Sequence, residues 1–247
     1  MNGFKSIKIL QFVFHLLLPL SILGQHTFPS DTFQTDIGEV KLTLIGHGSL
    51  MFEMNDFVIH VDPSRSAADY KLLPKANLIL ITHQHRDHCD PFAIEDVALA
   101  NAKIIITKSA RNVINKGDIL YNYQSTTVNG IQIDAVPAYN IGNSTHHEMY
   151  HPKGEGNGYV LTIGSKRFYV AGDTDNIPEM KDLKKIDVAF MPMNLPHTMS
   201  PEMVADGISK FHPKILYPYH HRGTNINKLF LLLNNDHGTE VRIRKIY

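Results

Sequence analysis

Short apolar runs separated by polar turns make up most of the chain from residue 39 onward, and long amphipathic stretches are few. Residues 41–45, 50–54 and 57–61 are short, mostly apolar and rich in strand-forming side chains, and they predict an opening meander that ends at Asp62-Pro63. Residues 78–81 are wholly apolar, as a strand buried on both faces should be. A further strand is predicted over 103–107, and Asn129-Gly130 sits between extended runs as a hairpin turn. Residues 158–163 and 167–171 predict a second hairpin around Gly164-Ser165, and 188–191 and 215–219 are further apolar runs. Two helix starts are marked by a capping side chain followed by proline, at Asp90-Pro91 and Ser200-Pro201. A last helix is predicted over 225–234, and no internal repeat or low-complexity tract is visible. The pattern alone predicts a mixed α/β protein.

The end of the 78–81 run carries the most concentrated chemistry in the chain, Thr82-His83-Gln84-His85-Arg86-Asp87-His88. Alternation along an extended backbone puts His83 and His85 on one side, and a turn after them brings Asp87 and His88 round. Imidazole and carboxylate are the ligands that borderline divalent ions prefer, so this spacing reads as a metal site rather than a polar loop. Asp173 follows another apolar run, with Gly172 allowing a tight turn before it, and Asn194 follows 188–191 in the same way. His220 ends the run 215–219. Potential ligands therefore recur at the carboxyl ends of apolar runs, where sheet scaffolds commonly place a site.

The motif resembles the HxHxDH signature of the metallo-β-lactamase superfamily. The chain looks most like its metal-dependent hydrolases of the ascorbate-6-phosphate lactonase-like and N-acylphosphatidylethanolamine phospholipase D-like branch. The resemblance runs from Leu44-Ile45-Gly46-His47-Gly48-Ser49 to Tyr217-Pro218-Tyr219-His220. It implies a four-layer αββα sandwich and one or two divalent ions, zinc first and manganese as the alternative. Carried over by motif, His83 and His85 bind a first metal, Asp87 and His88 a second, Asp173 bridges, and His220 completes the second. Asp87 and Asp173 are the candidate catalytic carboxylates. A role for His47 in packing beside the metal is implied by its place after the first strand.

One superfamily histidine, which usually follows the strand written here as 131–136, is missing, and the chain continues Pro137-Ala138-Tyr139-Asn140. The following loop offers His146, His147 and His151; His151 is the favoured replacement, with Asn140 or water as alternatives. The same loop spells HExxH, from His147 to His151, but Pro152 and the surrounding glycines disfavour the regular helix that a zinc peptidase requires. His197 and His221 are candidates for substrate contact and leaving-group protonation, and Arg222 for holding a phosphate or carboxylate. The implied reaction is hydrolysis of a small ester, lactone or phosphodiester by metal-activated water. A β-lactamase and a non-catalytic metal- or ligand-binding protein are the alternatives.

Composition narrows the field. With 247 residues, 43% of them hydrophobic, the chain is sufficient for one large core, expected over 39–247. Formal charge is zero and no basic block is present, so no nucleic-acid partner is expected; oligomeric state is open. Lys5 and Lys8 precede a mostly apolar stretch to Leu23, which predicts a signal peptide over 1–24 and a linker over 25–38. The mature protein is then expected to be periplasmic or secreted, with no stable membrane span. The sole cysteine, Cys89, has no intrachain disulfide partner.

Overall fold

Two consecutive stretches of chain each build one seven-stranded sheet, and both do so in the same order. The computed structural model describes residues 28–142, 150–233 and 238–245. In the first sheet β1 (Ser30–Thr35), β2 (Gly38–Gly46), β3 (Ser49–Met54), β4 (Phe57–Val61), β5 (Ala76–Ile81), β6 (Ala98–Ile106) and β7 (Asp118–Ile119) lie side by side in chain order. The second sheet contains β8 (Ser125–Val128), β9 (Ile131–Ala138), β10 (Gly156–Ile163), β11 (Lys166–Val170), β12 (Val188–Pro192), β13 (Ile215–Tyr219) and β14 (Glu240–Val241). In each, the first four strands pair antiparallel and the last three join in parallel.

Parallel neighbours need crossovers, and these supply the helices. Helices α1 (Pro91–Val97) and α2 (Lys108–Ile114) follow β5 and β6, while α3 (Pro201–Phe211) and α4 (Ile226–Leu233) follow β12 and β13. The core divides accordingly. Phe52, Ile59 and Leu80 of the first sheet meet Tyr159, Phe168, Phe190 and Tyr217 of the second in one buried cluster between the sheets. The outer face of the first sheet buries Ile79 and Ile81 with Ala93 and Ile94 of α1. The outer face of the second buries Ala189 and Met191 with Val204 and Ile208 of α3. The result is the four-layer αββα sandwich. Among the described residues no helix is long and apolar enough to cross a membrane.

The two expected helix caps form as their chemistry dictates. The Asp90 carboxylate accepts hydrogen bonds from the Phe92 and Ala93 amides, and Ser200 Oγ accepts one from Met203. A cap of this kind contributes roughly 1 kcal/mol. Asp90 is thus occupied structurally, since its other oxygen accepts from the Arg65 amide. Burial pushes the neighbouring Cys89 thiol up to about 12, which makes it inert at neutral pH.

Three expectations need correcting. The stretch 25–38 is not simply a linker, because it carries β1; Phe33 is the one buried residue of that strand, so an edge strand passes for polar coil. Helix α2 was not legible, and Thr107, expected to end a strand, instead caps that helix by accepting from the Ala110 amide. The absence of a sequence repeat conceals a repeat of topology, since strand order is fixed by pairing rather than by residue identity. The expected signal peptide, His146, His147 and most of the HExxH segment lie outside the described residues.

Candidate metal centre

The histidine-rich motif follows the end of β5, and its first residue is locked by the end of β4. The Thr82 amide donates to Asp62 Oδ1 at 2.8 Å and its hydroxyl donates to Asp62 Oδ2 at 2.6 Å. The chain then turns, with the His88 and Cys89 amides both donating to the His85 carbonyl. Opposite this turn, Gly172 adopts a φ of +66°, and an added Cβ would meet the Asn157 carbonyl oxygen at 2.8 Å. Only glycine fits there, and its turn aims Asp173 at the histidines. His220 leaves β13 with a φ of +45°, and its amide donates to the His47 carbonyl at 3.0 Å.

These loops gather their side chains into two adjoining sets. In the first, His83 Nε2 lies 3.1 Å from His85 Nδ1, which in turn lies 3.2 Å from His151 Nε2. In the second, Asp87 Oδ2 lies 2.9 Å from His47 Nε2, 3.6 Å from His220 Nε2 and 3.8 Å from His88 Nε2. Asp173 lies between them, with Oδ2 at 3.4 Å from both His151 and His220 and at 3.8 Å from His83, while Oδ1 lies 3.5 Å from His88. The same residues form the groups able to hold an ion within a ligand-to-ligand spread of 4.8 Å.

Hydrogen bonds on the far side of the rings decide which nitrogens face inward. Thr82 Oγ1 gives its proton to Asp62, so it must accept from His83 Nδ1–H at 3.0 Å, leaving the Nε2 lone pair facing the site. His88 Nδ1–H donates to Asp62 Oδ2 at 2.8 Å, leaving Nε2 free. Asn140 Nδ2 donates to Asp175 and to the His197 carbonyl, so its oxygen faces His151 and accepts from Nδ1–H at 3.0 Å. This orientation of ligating histidines from behind is characteristic of metal sites. His88 Nε2, Asp173 Oδ1 and both ring nitrogens of His220 are buried without a hydrogen-bond partner, as ligands waiting for a cation would be. The donor set fits a divalent ion.

The electrostatics point the same way. Burial holds His83 well below its ordinary value, and His88 adds to that effect. Burial also works against charge on His88, yet Asp173 and Asp62 outweigh it and lift the imidazole to about 10. Burial would raise Asp173, but His220 and His88 hold its carboxyl well below the usual carboxylate range. Asp87 is also held low, against its burial, by His220 and His47. Carboxylates clustered on this scale at neutral pH call for positive charge between them.

Every residue expected as a ligand therefore meets the others: His83, His85, Asp87, His88, Asp173, His220 and the replacement His151. Asn140, the alternative, instead orients His151. His197 and Arg222 line the cleft above the site, a space of about 490 Å³, but His221 does not. The backbone turn that points His220 inward sends its neighbour away, and His221 Nε2 is shut off from solvent. Sequence reasoning missed Asp62 as the carboxylate behind His88 and Arg86 as a cleft residue. An Asp-Pro pair closing a strand was the available sign for Asp62.

The profile of the Beta-lactamase superfamily domain matches residues 41–220. The chain belongs to this superfamily. It is 30% identical over 195 residues to a UPF0173 metal-dependent hydrolase of Thermococcus kodakarensis, covering 74% of this chain and 84% of that one. The crystal structure of a candidate metal-dependent hydrolase from Parabacteroides distasonis is 45% identical, with a TM-score of 0.85 over 90% of this chain and 100% of that one. The metallo-β-lactamase fold protein YhfI of Bacillus subtilis, at 16% identity and a TM-score of 0.65 over 84% of this chain and 96% of its own, shows the shared fold alone. This superfamily member is a metal-dependent hydrolase.

Proposed function

We propose that the protein hydrolyses a small anionic ester, with a phosphodiester or a lactone bearing an acidic group as the favoured substrates. Two divalent ions, zinc foremost, would be held by the two sets and bridged by Asp173. When bound, such ions bring the pKa of water toward neutrality and polarise a carbonyl or phosphoryl oxygen. The observation carrying the choice of an anion is the cleft wall. Arg86 and Arg222 both line it, and neither guanidinium has a hydrogen-bonded or ionic partner among the described residues. Arginine presents a planar fork suited to phosphate or carboxylate, and an unpaired pair at a cleft mouth attracts negative charge.

The chain's other cleft residues support the same reading. The His197 ring packs edge-on against Tyr150, with centroids 4.3 Å apart, and its backbone carbonyl is held by Asn140. That anchoring supports the reading of His197 as the group that protonates a leaving group. Because Asn140 also orients His151, the loop carrying His197 is coupled to the first set. The convergence of His151 with His83 and His85, in place of the missing histidine, speaks against a non-catalytic binding role.

The test is a panel of chromogenic phosphodiesters, lactones, neutral esters and a cephalosporin, assayed with zinc- and manganese-loaded protein. Turnover of the anionic substrates, with a rise of roughly tenfold in KM when Arg86→Ala or Arg222→Ala is introduced, is expected. Preference for neutral esters or the cephalosporin overturns the assignment. Export is proposed from Lys5, Lys8 and the apolar stretch after them. Fractionation and N-terminal sequencing should find a mature chain near Gln25 outside the cytoplasm, and full-length cytoplasmic protein would contradict this.

A further inference from the structure

The turn between β2 and β3 contributes more to the centre than packing. It reads Gly46-His47-Gly48-Ser49, and its last three residues all bear on the site. An added Cβ at Gly48 would lie 2.5 Å from His88 Cε1, so the backbone there is pressed against a ligand ring. Ser49 Oγ donates to the Asp62 carbonyl at 2.6 Å, which ties the turn to the carboxylate behind His88. His47 itself has a φ of +50°, which a side chain of this size adopts at a cost unless its surroundings enforce it. Its carbonyl pins the His220 amide, and its ring centroid lies 3.8 Å from that of His220. Its Nε2 reaches Asp87 Oδ2 at 2.9 Å.

We propose that His47 is a metal ligand of the second position. The inference rests on the two-ion reading above. Donor atoms bound tetrahedrally to one zinc ion at normal bond lengths are about 3.4 Å apart. The separations of Asp87 Oδ2 from His47, His220 and His88, from 2.9 to 3.8 Å, bracket that value. The separations in the first set fall inside that range, from 3.1 Å between His83 and His85 to 3.8 Å between His83 and Asp173. With His47 included, each position has three imidazoles; the shared Asp173 is the first position's one carboxylate, and the second has Asp87 as well. The two positions then match in their imidazoles, contrary to the expectation from motif alone that the first is short of ligands and the second complete without His47.

The competing role is a hydrogen bond from His47 that merely holds Asp87 in place. Three proteins separate the two: the parent, His47→Gln and His47→Asn. Glutamine keeps an N–H that can reach Asp87 but is a poor ligand, whereas asparagine tolerates the left-handed backbone and is too short for either task. Each is stripped of metal, checked for an unchanged melting temperature in that state, and titrated with zinc against a chromophoric chelator and with cobalt by absorption. The parent should take up two ions. Both variants should keep one tight site and lose at least tenfold in affinity at the other, with a changed cobalt spectrum. Recovery of both sites by His47→Gln to within about twofold of the parent shows that His47 only positions Asp87 and overturns the proposal. Unchanged binding in both variants overturns it equally. A parent that takes up fewer than two ions defeats the two-ion reading itself, and the ligand role of His47 with it. If the asparagine variant melts early, the glutamine titration alone decides.

Discussion

Asp62 and Asp173 occupy matching places in the two sheets and do opposite jobs. Each follows the fourth strand of its sheet, where pairing changes from antiparallel to parallel, and a positive φ falls at Asp62 itself and at Gly172 just before Asp173. Asp62 is fully buried, and its oxygens accept from the Thr82 amide, the Thr82 hydroxyl and His88. Asp173 keeps Oδ1 without a hydrogen-bond partner and faces the imidazoles of both sets. The same wiring therefore yields a carboxylate that builds the site and one that is part of it. The difference comes from the strand beside each. The first sheet places five potential ligands around β2 and β5, so its aspartate is needed behind them, whereas the second contributes His151, Asp173 and His220 one loop at a time.

The sharpest way to break this comparison is to remove the two carboxylates in turn. Asp173→Ala should lower kcat by on the order of a thousandfold or more, because on the two-ion reading both positions lose the ligand they share. The loss is read by steady-state kinetics alongside metal content, and Asp62→Asn should not match it. His151→Ala comes next, with a fall of about a hundredfold in activity or in affinity at the first position, as the loss of a proposed direct ligand requires. Isothermal titration with zinc checks this, and an unchanged isotherm reduces His151 to a loop residue. Asp62→Asn should cost on the order of tenfold in metal affinity, the usual scale for a group that orients a ligating histidine from behind. If it costs nothing, the two aspartates differ more than proposed, and Thr82 alone suffices to set the loop.

The smallest effect lies in the first sheet, away from the metals. His60 is fully buried, its Nε2–H donates to the Pro74 carbonyl, and burial lowers its pKa to about 4. Because the folded value lies below the unfolded one, the unfolded chain binds the extra proton between roughly pH 6.5 and 4. The stability contribution is complete above pH 6.5 and is lost as pH falls through that window. About 1 kcal/mol should disappear between pH 6.5 and 5.5 in metal-free protein, as followed by urea unfolding. His60→Gln, which keeps a donor and cannot titrate, should flatten that slope; an equally steep slope assigns it to other groups.

What could be read from the chain follows the same division. The first sheet's ligands are adjacent in sequence, and density alone marks His83, His85, Asp87 and His88 as a site. Strands with strong apolar runs, and helices opened by Asp90-Pro91 and Ser200-Pro201, are legible because local chemistry fixes them. Edge strand β1 and helix α2 are not, since the first buries a single large side chain and the second a single alanine. Asp173 and His220 become recognisable only through their recurrence at strand ends. His151 is ambiguous in sequence because Pro152, HExxH and the missing histidine suggest different roles. Only the hydrogen bond to Asn140 and the approach to His85 separate them. The approach of His47 to Asp87 joins residues that are 40 apart, which no local pattern encodes.

The consecutive layout of the sheets sets an order of events during synthesis. All strands of the first sheet precede residue 120, and all strands of the second follow it. A growing chain that has released only the first sheet already carries His47, His83, His85, Asp87 and His88, but neither His151, Asp173 nor His220. Its inner face, with Phe52, Ile59 and Leu80, also has no opposite layer until Phe168, Phe190 and Tyr217 arrive. Metal capture in the finished geometry thus waits for β13, close to the end of translation. An ion held there certifies that both halves have docked.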